Sequence, residues 1–263
     1  MIPIVLVGAA GRMGRAVEQA VAATSGFVIK ARVDRPPDPS AGETGWVADA
    51  AGVLEAGDVA VEFSDPAACA ALAALCAARG AGLVSGTTGL DAEQDEAVRS
   101  AARRVAVVRG ANFSLGVAVL RRVLRTAVAA LPPGWDVEIV ERHHRLKADS
   151  PSGTALALAA DAAASRGGEG AAPRFGRGQG RTGPRPAGEI GVHSVRGGTW
   201  VGDHTVLLAG EGEWLELRHV AQDRAAFANG ALAAVRFVVG AGPGLYSLED
   251  VLAAGRRSQA PGS

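Results

Sequence analysis

The opening of this 263-residue chain constrains its fold more than any other stretch. Ile2-Pro-Ile-Val-Leu-Val7 is a short continuous apolar run, the pattern of a strand buried on both faces, and Gly8-Ala-Ala-Gly-Arg-Met-Gly14 follows directly. A helical stretch then runs to about Ala23. A strand that turns through glycines into a helix lets backbone N–H groups and the positive helix end face a pyrophosphate, because no side chain obstructs the approach. Phe27 to Val33 reads as a second strand, and Asp34 at its end falls 20 residues after Gly14. A carboxylate placed there accepts hydrogen bonds from a ribose hydroxyl. The next residue, Arg35, brings a guanidinium able to pair with a 2′-phosphate, so NADH and NADPH both stay open as cofactors.

The alternation continues. Val59–Phe63 is a third strand, an Ala-rich helix follows Pro66, and Gly82–Ser85 is a fourth strand. Asp91 with Gln94 makes a capping box for a helix to about Arg104, before another strand at Val105–Val108. Strands separated by helices specify a parallel sheet, since parallel neighbours need crossover connections. Ligands of such sheets bind outside the carboxyl ends of the strands. Gly86-Thr87-Thr88-Gly89 and Gly110-Ala111-Asn112-Phe113-Ser114 both lie there. Cys69 and Cys76 share one face of the Ala-rich helix and read as small core residues.

After Asn112 the pattern changes. Leu115, Val119, Leu120, Val123, Leu124, Val128 and Leu131 mark a long amphipathic helix ended by Pro132-Pro133. A strand over 136–142 and a helix over 154–166 follow. Beyond Ala187 the period becomes two, with glycines at 197–198 and 210–212, as in an antiparallel sheet. Helix returns at 223–239, and Ser247 with Asp250 opens a last short one. Gly167–Gly188, which carries Arg174, Arg177, Arg181 and Arg185, reads as a surface loop with solvated charges or as a flap beside a site.

Chemistry concentrates in Glu141-Arg-His-His-Arg-Leu-Lys147 and Ser150-Pro-Ser-Gly-Thr154. The first segment leaves a strand and the second opens a helix. Ser152, Gly153 and Thr154 offer hydroxyls and N–H groups at the positive end of a helix dipole. Lys147 adds a full charge, while His143 and His144 titrate near neutrality when unperturbed. This set suits a substrate with carboxylates and a reaction that needs a proton. Adjacent side chains on a strand diverge and no ligand set is completed, so no metal site is expected. His193, His204 and His219 are assigned structural roles.

Composition narrows the partners. Twenty-seven basic side chains balance 27 acidic ones, which gives no field favouring nucleic acid or an anionic membrane. No window approaches a membrane span, and no signal-peptide pattern follows Met1, so a cytoplasmic home is expected.

These residues together resemble the 4-hydroxy-tetrahydrodipicolinate (dihydrodipicolinate) reductases of bacterial lysine biosynthesis. The motifs that carry the resemblance are residues 7–14, 86–89, 111–114 and, most distinctive, 141–154, with further likeness at 188–191, 194–196, 201–204 and 227–230. The resemblance implies an α/β fold: a Rossmann-like parallel-sheet domain (1–114 and 224–263) plus an α+β domain with a mostly antiparallel open sheet (115–223). The first would bind NADH or NADPH through Gly8, Ala9, Ala10, Gly11, Arg12, Met13, Asp34, Arg35, Gly86, Thr87, Thr88, Gly110, Ala111, Asn112 and Phe113. The second would bind a small dicarboxylate heterocycle and mediate oligomerisation, typically as a homotetramer. By the same resemblance His143 is the acid/base residue and Lys147 a proton donor, with His144, Gly153 and Thr154 on the substrate carboxylates. Ser152 joins them as a substrate-binding candidate. Asp34 stands where some members carry glutamate, and Ala10 where some carry glycine. Other readings are another NAD(P)-dependent reductase or amino-acid dehydrogenase, and a sensor that binds NAD(P) without turnover.

Overall fold

The computed structural model describes residues 1–34, 45–167 and 173–257; Arg35 lies outside them. The chain divides into two compact units, one formed by Met1–Leu115 with Arg224–Ser263 and the other by Gly116–Asp223.

In the first unit the described elements are β1 (Ile2–Val7), α1 (Arg12–Ala23), β2 (Phe27–Val33), β3 (Trp46–Val47), β4 (Val59–Glu62), α2 (Pro66–Arg79), β5 (Gly82–Ser85), α3 (Ala92–Ala102) and β6 (Ala106–Arg109). The helix α4 (Leu115–Ala130) leaves this unit for the second. The late elements α6 (Ala225–Gly240), β12 (Gly244–Tyr246) and α7 (Leu248–Arg257) return to the first. All seven strands run parallel in the order β12-β6-β5-β4-β1-β2-β3. Val5, Val7, Ala60, Leu83 and Val107 pack one sheet face onto Cys69, Leu72, Ala73 and Cys76 of α2 and Val98 and Ala101 of α3. The opposite face meets α6, which also packs on α1. Local chemistry sets the helix ends. Asp65 caps α2 with Pro66 at its first position and left-handed Gly80 at its close, and the Asp91–Gln94 capping box has both of its hydrogen bonds. Both thiols are buried, and burial pushes Cys69 up to about 11 and Cys76 to about 12, the behaviour of inert core groups.

The second unit holds β7 (Asp136–His143), α5 (Gly153–Ser165), β8 (Pro173–Phe175), β9 (Ile190–Arg196), β10 (Gly202–Ala209) and β11 (Trp214–Ala221), with sheet order β11-β10-β7-β9-β8. The antiparallel expectation holds for β7, β10 and β11, whereas β9 pairs parallel with both β7 and β8. The physical reason is the helical crossover through α5, which carries the chain back to start β9 at the same end as β7. Leu120, Leu124 and Val128 of α4 and Leu158 of α5 cover Val137, Ile139, Ile190, Val192, Val206 and Leu208. Val119 and Val123, read in the sequence as part of the apolar stripe, are exposed, and Val117 takes a buried place instead. The arginines of 173–188 are largely engaged: Arg174 and Arg177 pair with Glu189, and Arg185 with Asp136 and Glu138. No helix among the described residues is long and apolar enough to cross a membrane.

Candidate active site

The glycine loop after β1 is built as its sequence requires. Gly8 has φ +77°, and a side chain there would meet the Phe63 carbonyl at 2.5 Å. Gly14 has no room either, since its Cβ would lie 2.3 Å from the Gly8 oxygen. Gly11 caps α1 without a side-chain hydrogen bond, leaving the helix start to backbone N–H groups. The Asp34 carboxylate accepts from the Ala10 N–H at 3.1 Å, which ties the acid at the end of β2 to the loop itself. Ala9 is buried, Arg12 is exposed and Met13 is half-buried.

The neighbouring strand ends add a second cluster. Gly86 lies against the Phe63 ring, where a Cβ would come to 2.1 Å. Thr88 is exposed, but Thr87 is buried and its hydroxyl donates to Glu62. Asn112 accepts from the Ser114 N–H at 2.7 Å. Phe113 is turned inward, edge-on to Phe63 with centroids 5.7 Å apart, and its carbonyl packs against Gly230. Gly110 and Ala111 border a cavity of about 390 Å³ together with Arg109 and Tyr246. These loops leave backbone N–H groups and small residues along one sheet edge, with a carboxylate at the end of β2. That donor set fits a dinucleotide.

The chemical cluster of the second unit starts from the period of β7. Val137 and Ile139 face the core, and the same face continues with Glu141 and His143, both buried. The two side chains therefore meet, with His143 Nδ1 2.5 Å from Glu141 Oε2. Glu141 also accepts from both terminal nitrogens of Arg196, at 2.8 and 2.7 Å, and from the Ser152 N–H at 3.1 Å. Burial opposes its charge, yet the hydrogen bonds from Arg196, His143 and Ser194 win and hold it down at about 2. An ionised carboxylate only accepts, so His143 Nδ1 carries the proton and Nε2 is left to exchange one. Nε2 lies over Gly202, where a side chain would approach to 3.2 Å. Burial lowers the His143 pKa, Glu141 opposes this, and Lys147 and Arg196 add to the lowering.

Ser152 caps α5 by accepting from the Ala155 N–H, and its hydroxyl lies 3.1 Å from His204 Nε2. His204 packs edge-on to His143 with centroids 5.1 Å apart, and burial drives its pKa down to about 4, so its imidazole is neutral near pH 7. Gly153, at the first position of α5, faces open space, and Thr154 follows it. Lys147 is held by Asp149 through both carboxylate oxygens at 2.8 Å. His144 has left the strand and donates its backbone N–H to the Trp200 carbonyl. Among the described residues no group of three or more His, Cys, Asp or Glu could hold a metal ion.

The structure thus joins His143 and Ser152 through Glu141, with Lys147 close enough to influence His143 electrostatically. By sequence reasoning Glu141 falls within the chemical segment without a role of its own, Arg196 has none and His204 a structural one; the structure brings all three into this cluster. The available signal was position parity, because Glu141 falls on the apolar row of its strand.

Two family descriptions match. "Dihydrodipicolinate reductase, N-terminus" covers residues 2–113 and "Dihydrodipicolinate reductase, C-terminus" covers 116–252. The chain belongs to the dihydrodipicolinate reductase family. Membership makes it an NAD(P)H-dependent oxidoreductase. A 4-hydroxy-tetrahydrodipicolinate reductase of Caulobacter vibrioides is 48% identical over 254 residues, covering 95% of this chain and 97% of the relative. One from Parvibaculum lavamentivorans is 44% identical over 266 residues, covering 95% and 97%. Among solved structures, a dipicolinate-bound dihydrodipicolinate reductase from Paenisporosarcina superposes with a TM-score of 0.77 at 26% identity, covering 95% of this chain and 99% of that one. The family fold, a parallel-sheet unit and a mixed-sheet unit, is the one described above.

Proposed function

We propose that this chain reduces 4-hydroxy-tetrahydrodipicolinate to tetrahydrodipicolinate in lysine and diaminopimelate biosynthesis, as a cytoplasmic enzyme using NADH or NADPH. The observation that carries the residue assignments is the buried Glu141–His143 pair, clamped by Arg196 and joined to the start of α5. The glycine loop, Asp34, Gly86–Thr88 and Gly110–Asn112 would hold the cofactor, which supplies the hydride when bound. Gly153, Thr154, Ser152, His144 and Lys147 would hold the two carboxylates of the ring. A substrate carboxylate would take the place of Asp149 on Lys147. Hydride addition builds negative charge on the ring, and His143 delivers a proton from Nε2 to quench it, with Lys147 as the supporting donor. General acid help of this kind is worth about 10²–10⁴-fold in rate.

The deciding assay follows nicotinamide absorbance while purified dihydrodipicolinate synthase generates the substrate, with NADH and NADPH run in parallel. Oxidation that depends on the synthase product supports the assignment; indifference to that product refutes it. The same reading includes a homotetramer. It is supported by the edge strand β11, where Trp214 is 70% exposed and Leu215 and Val220 are also open. A monomeric mass by light scattering would refute that part.

A further inference from the structure

Glu62 is a fully buried acid at the end of β4, an otherwise apolar strand in the middle of the parallel sheet. Among the described residues no Lys, Arg or His forms an ion pair with it, which is unusual for a buried carboxyl group. Its partners are instead a backbone N–H and three hydroxyls. Oε1 accepts from the Ser64 N–H at 2.6 Å, from the Ser64 hydroxyl at 2.7 Å and from the Thr87 hydroxyl, while Oε2 accepts from Ser85 Oγ at 2.7 Å. The Ser64 N–H also reaches Thr87 Oγ1 at 3.2 Å, which leaves the Thr87 hydroxyl proton free to point at Glu62.

The register explains what this knot ties together. Glu62 pairs with Val7 on one side and with Ser85 on the other, the residues immediately before Gly8 and Gly86. It therefore sits under three strand ends at once. Phe63, the next residue, presses its carbonyl on Gly8 and its ring on Gly86 and Phe113. Neither Glu62 nor Ser85 belongs to the glycine loop or to the proposed contact set.

We infer that Glu62 is a positioning residue for the dinucleotide, an acceptor that presets the Ser64 and Gly86–Thr88 turns against the Gly8 loop. This rests on the reading of Gly86–Thr88 as cofactor contacts. Turns already ordered by Glu62 lose no further freedom when the dinucleotide arrives, so binding is tighter than it would be on slack loops. The side chain touches neither reacting partner.

Glu62→Ala should weaken NADH and NADPH binding roughly 10–100-fold, the scale of about two or three lost hydrogen bonds. KM for the dicarboxylate should stay within about twofold at saturating dinucleotide, because its proposed contacts lie in the other unit. Glu62→Gln keeps Oε1 and turns its amide toward Ser85 Oγ, which can accept, so it should restore affinity to within about threefold. Should Glu62→Ala not fold, Ser85→Ala serves in its place, with about a 3–10-fold loss expected for a single bond. Calorimetric titration of the folded proteins with each dinucleotide reads the affinity, and a thermal melt reads stability separately. Wild-type affinity in folded Glu62→Ala or Ser85→Ala, or an equal loss in Glu62→Gln and Glu62→Ala, overturns the inference. Thr88→Tyr separates the two layers: if this exposed side chain leaves affinity intact, the contact reading fails, whereas its loss beside normal Glu62→Ala binding sinks Glu62 alone.

Discussion

Glu141→Gln tests the chemistry of the second unit most directly. The substitution keeps an oxygen for the Ser152 N–H and for Arg196 but removes the charge that faces His143 Nδ1. In the native protein Glu141 is the group that raises His143's proton affinity, against burial, Lys147 and Arg196, which lower it. Losing it leaves only the lowering influences. A hydrogen bond to a charged group is worth about 1.5–3 kcal/mol, so without it the His143 pKa falls further. Proton delivery needs the imidazolium, so turnover falls as pH rises through the His143 pKa, and in Glu141→Gln that fall begins at lower pH. At pH 7 kcat should drop about 10–100-fold, and the gap should narrow toward pH 5. Dinucleotide affinity should not change. Leaving Arg196 without its carboxylate also costs about 3–5 kcal/mol, so the melting temperature must be checked before rates are compared. The assay is a pH profile of kcat with synthase-generated substrate. A folded Glu141→Gln with the wild-type profile would refute the role given to this pair.

Acid stability and cofactor choice provide further checks. His204 has its folded pKa depressed to about 4 from 6.5, so it favours the native state above 6.5 and that contribution, about 3 kcal/mol, is lost as pH falls toward 4. His204→Gln should flatten the melting temperature between those limits; an unchanged slope counts against the buried neutral imidazole. Asp34→Asn keeps an oxygen for the Ala10 N–H but removes the charge that repels a 2′-phosphate, so the NADPH-to-NADH ratio of kcat/KM should rise roughly tenfold. Equal ratios in both proteins would place that selection elsewhere.

Much of the fold was legible because local rules suffice where elements are long and capped. The β1 run, the glycine turn into α1, and the Asp91–Gln94 box each have a local cause. What stayed hidden depends on register between distant segments. Arg196 lies opposite His143 only because β9 pairs parallel with β7, and spacing along the chain carries no trace of that. The same holds for Glu62, whose neighbours Ser85 and Thr87 are brought to it by strand pairing. Strands β3, β8 and β12, of two or three residues, fall below the length at which a period can be read. On α4 the apolar residues outnumber the core face, so Val119 and Val123 could not be told from Val117 without the packing.

The return of α6 and β12 to the first sheet has a consequence for biogenesis. During synthesis the strand order β6-β5-β4-β1-β2-β3 emerges early, but the helix that covers β4, β5 and β6 and the strand that closes the β6 edge are made only after all of Gly116–Asp223. The nascent nucleotide-binding unit must therefore wait on the ribosome with an uncovered apolar face, while the inserted unit can already compact. Chaperone dependence is thus expected to concentrate in that interval, and a permuted chain that places residues 224–257 ahead of Met1 would shorten it.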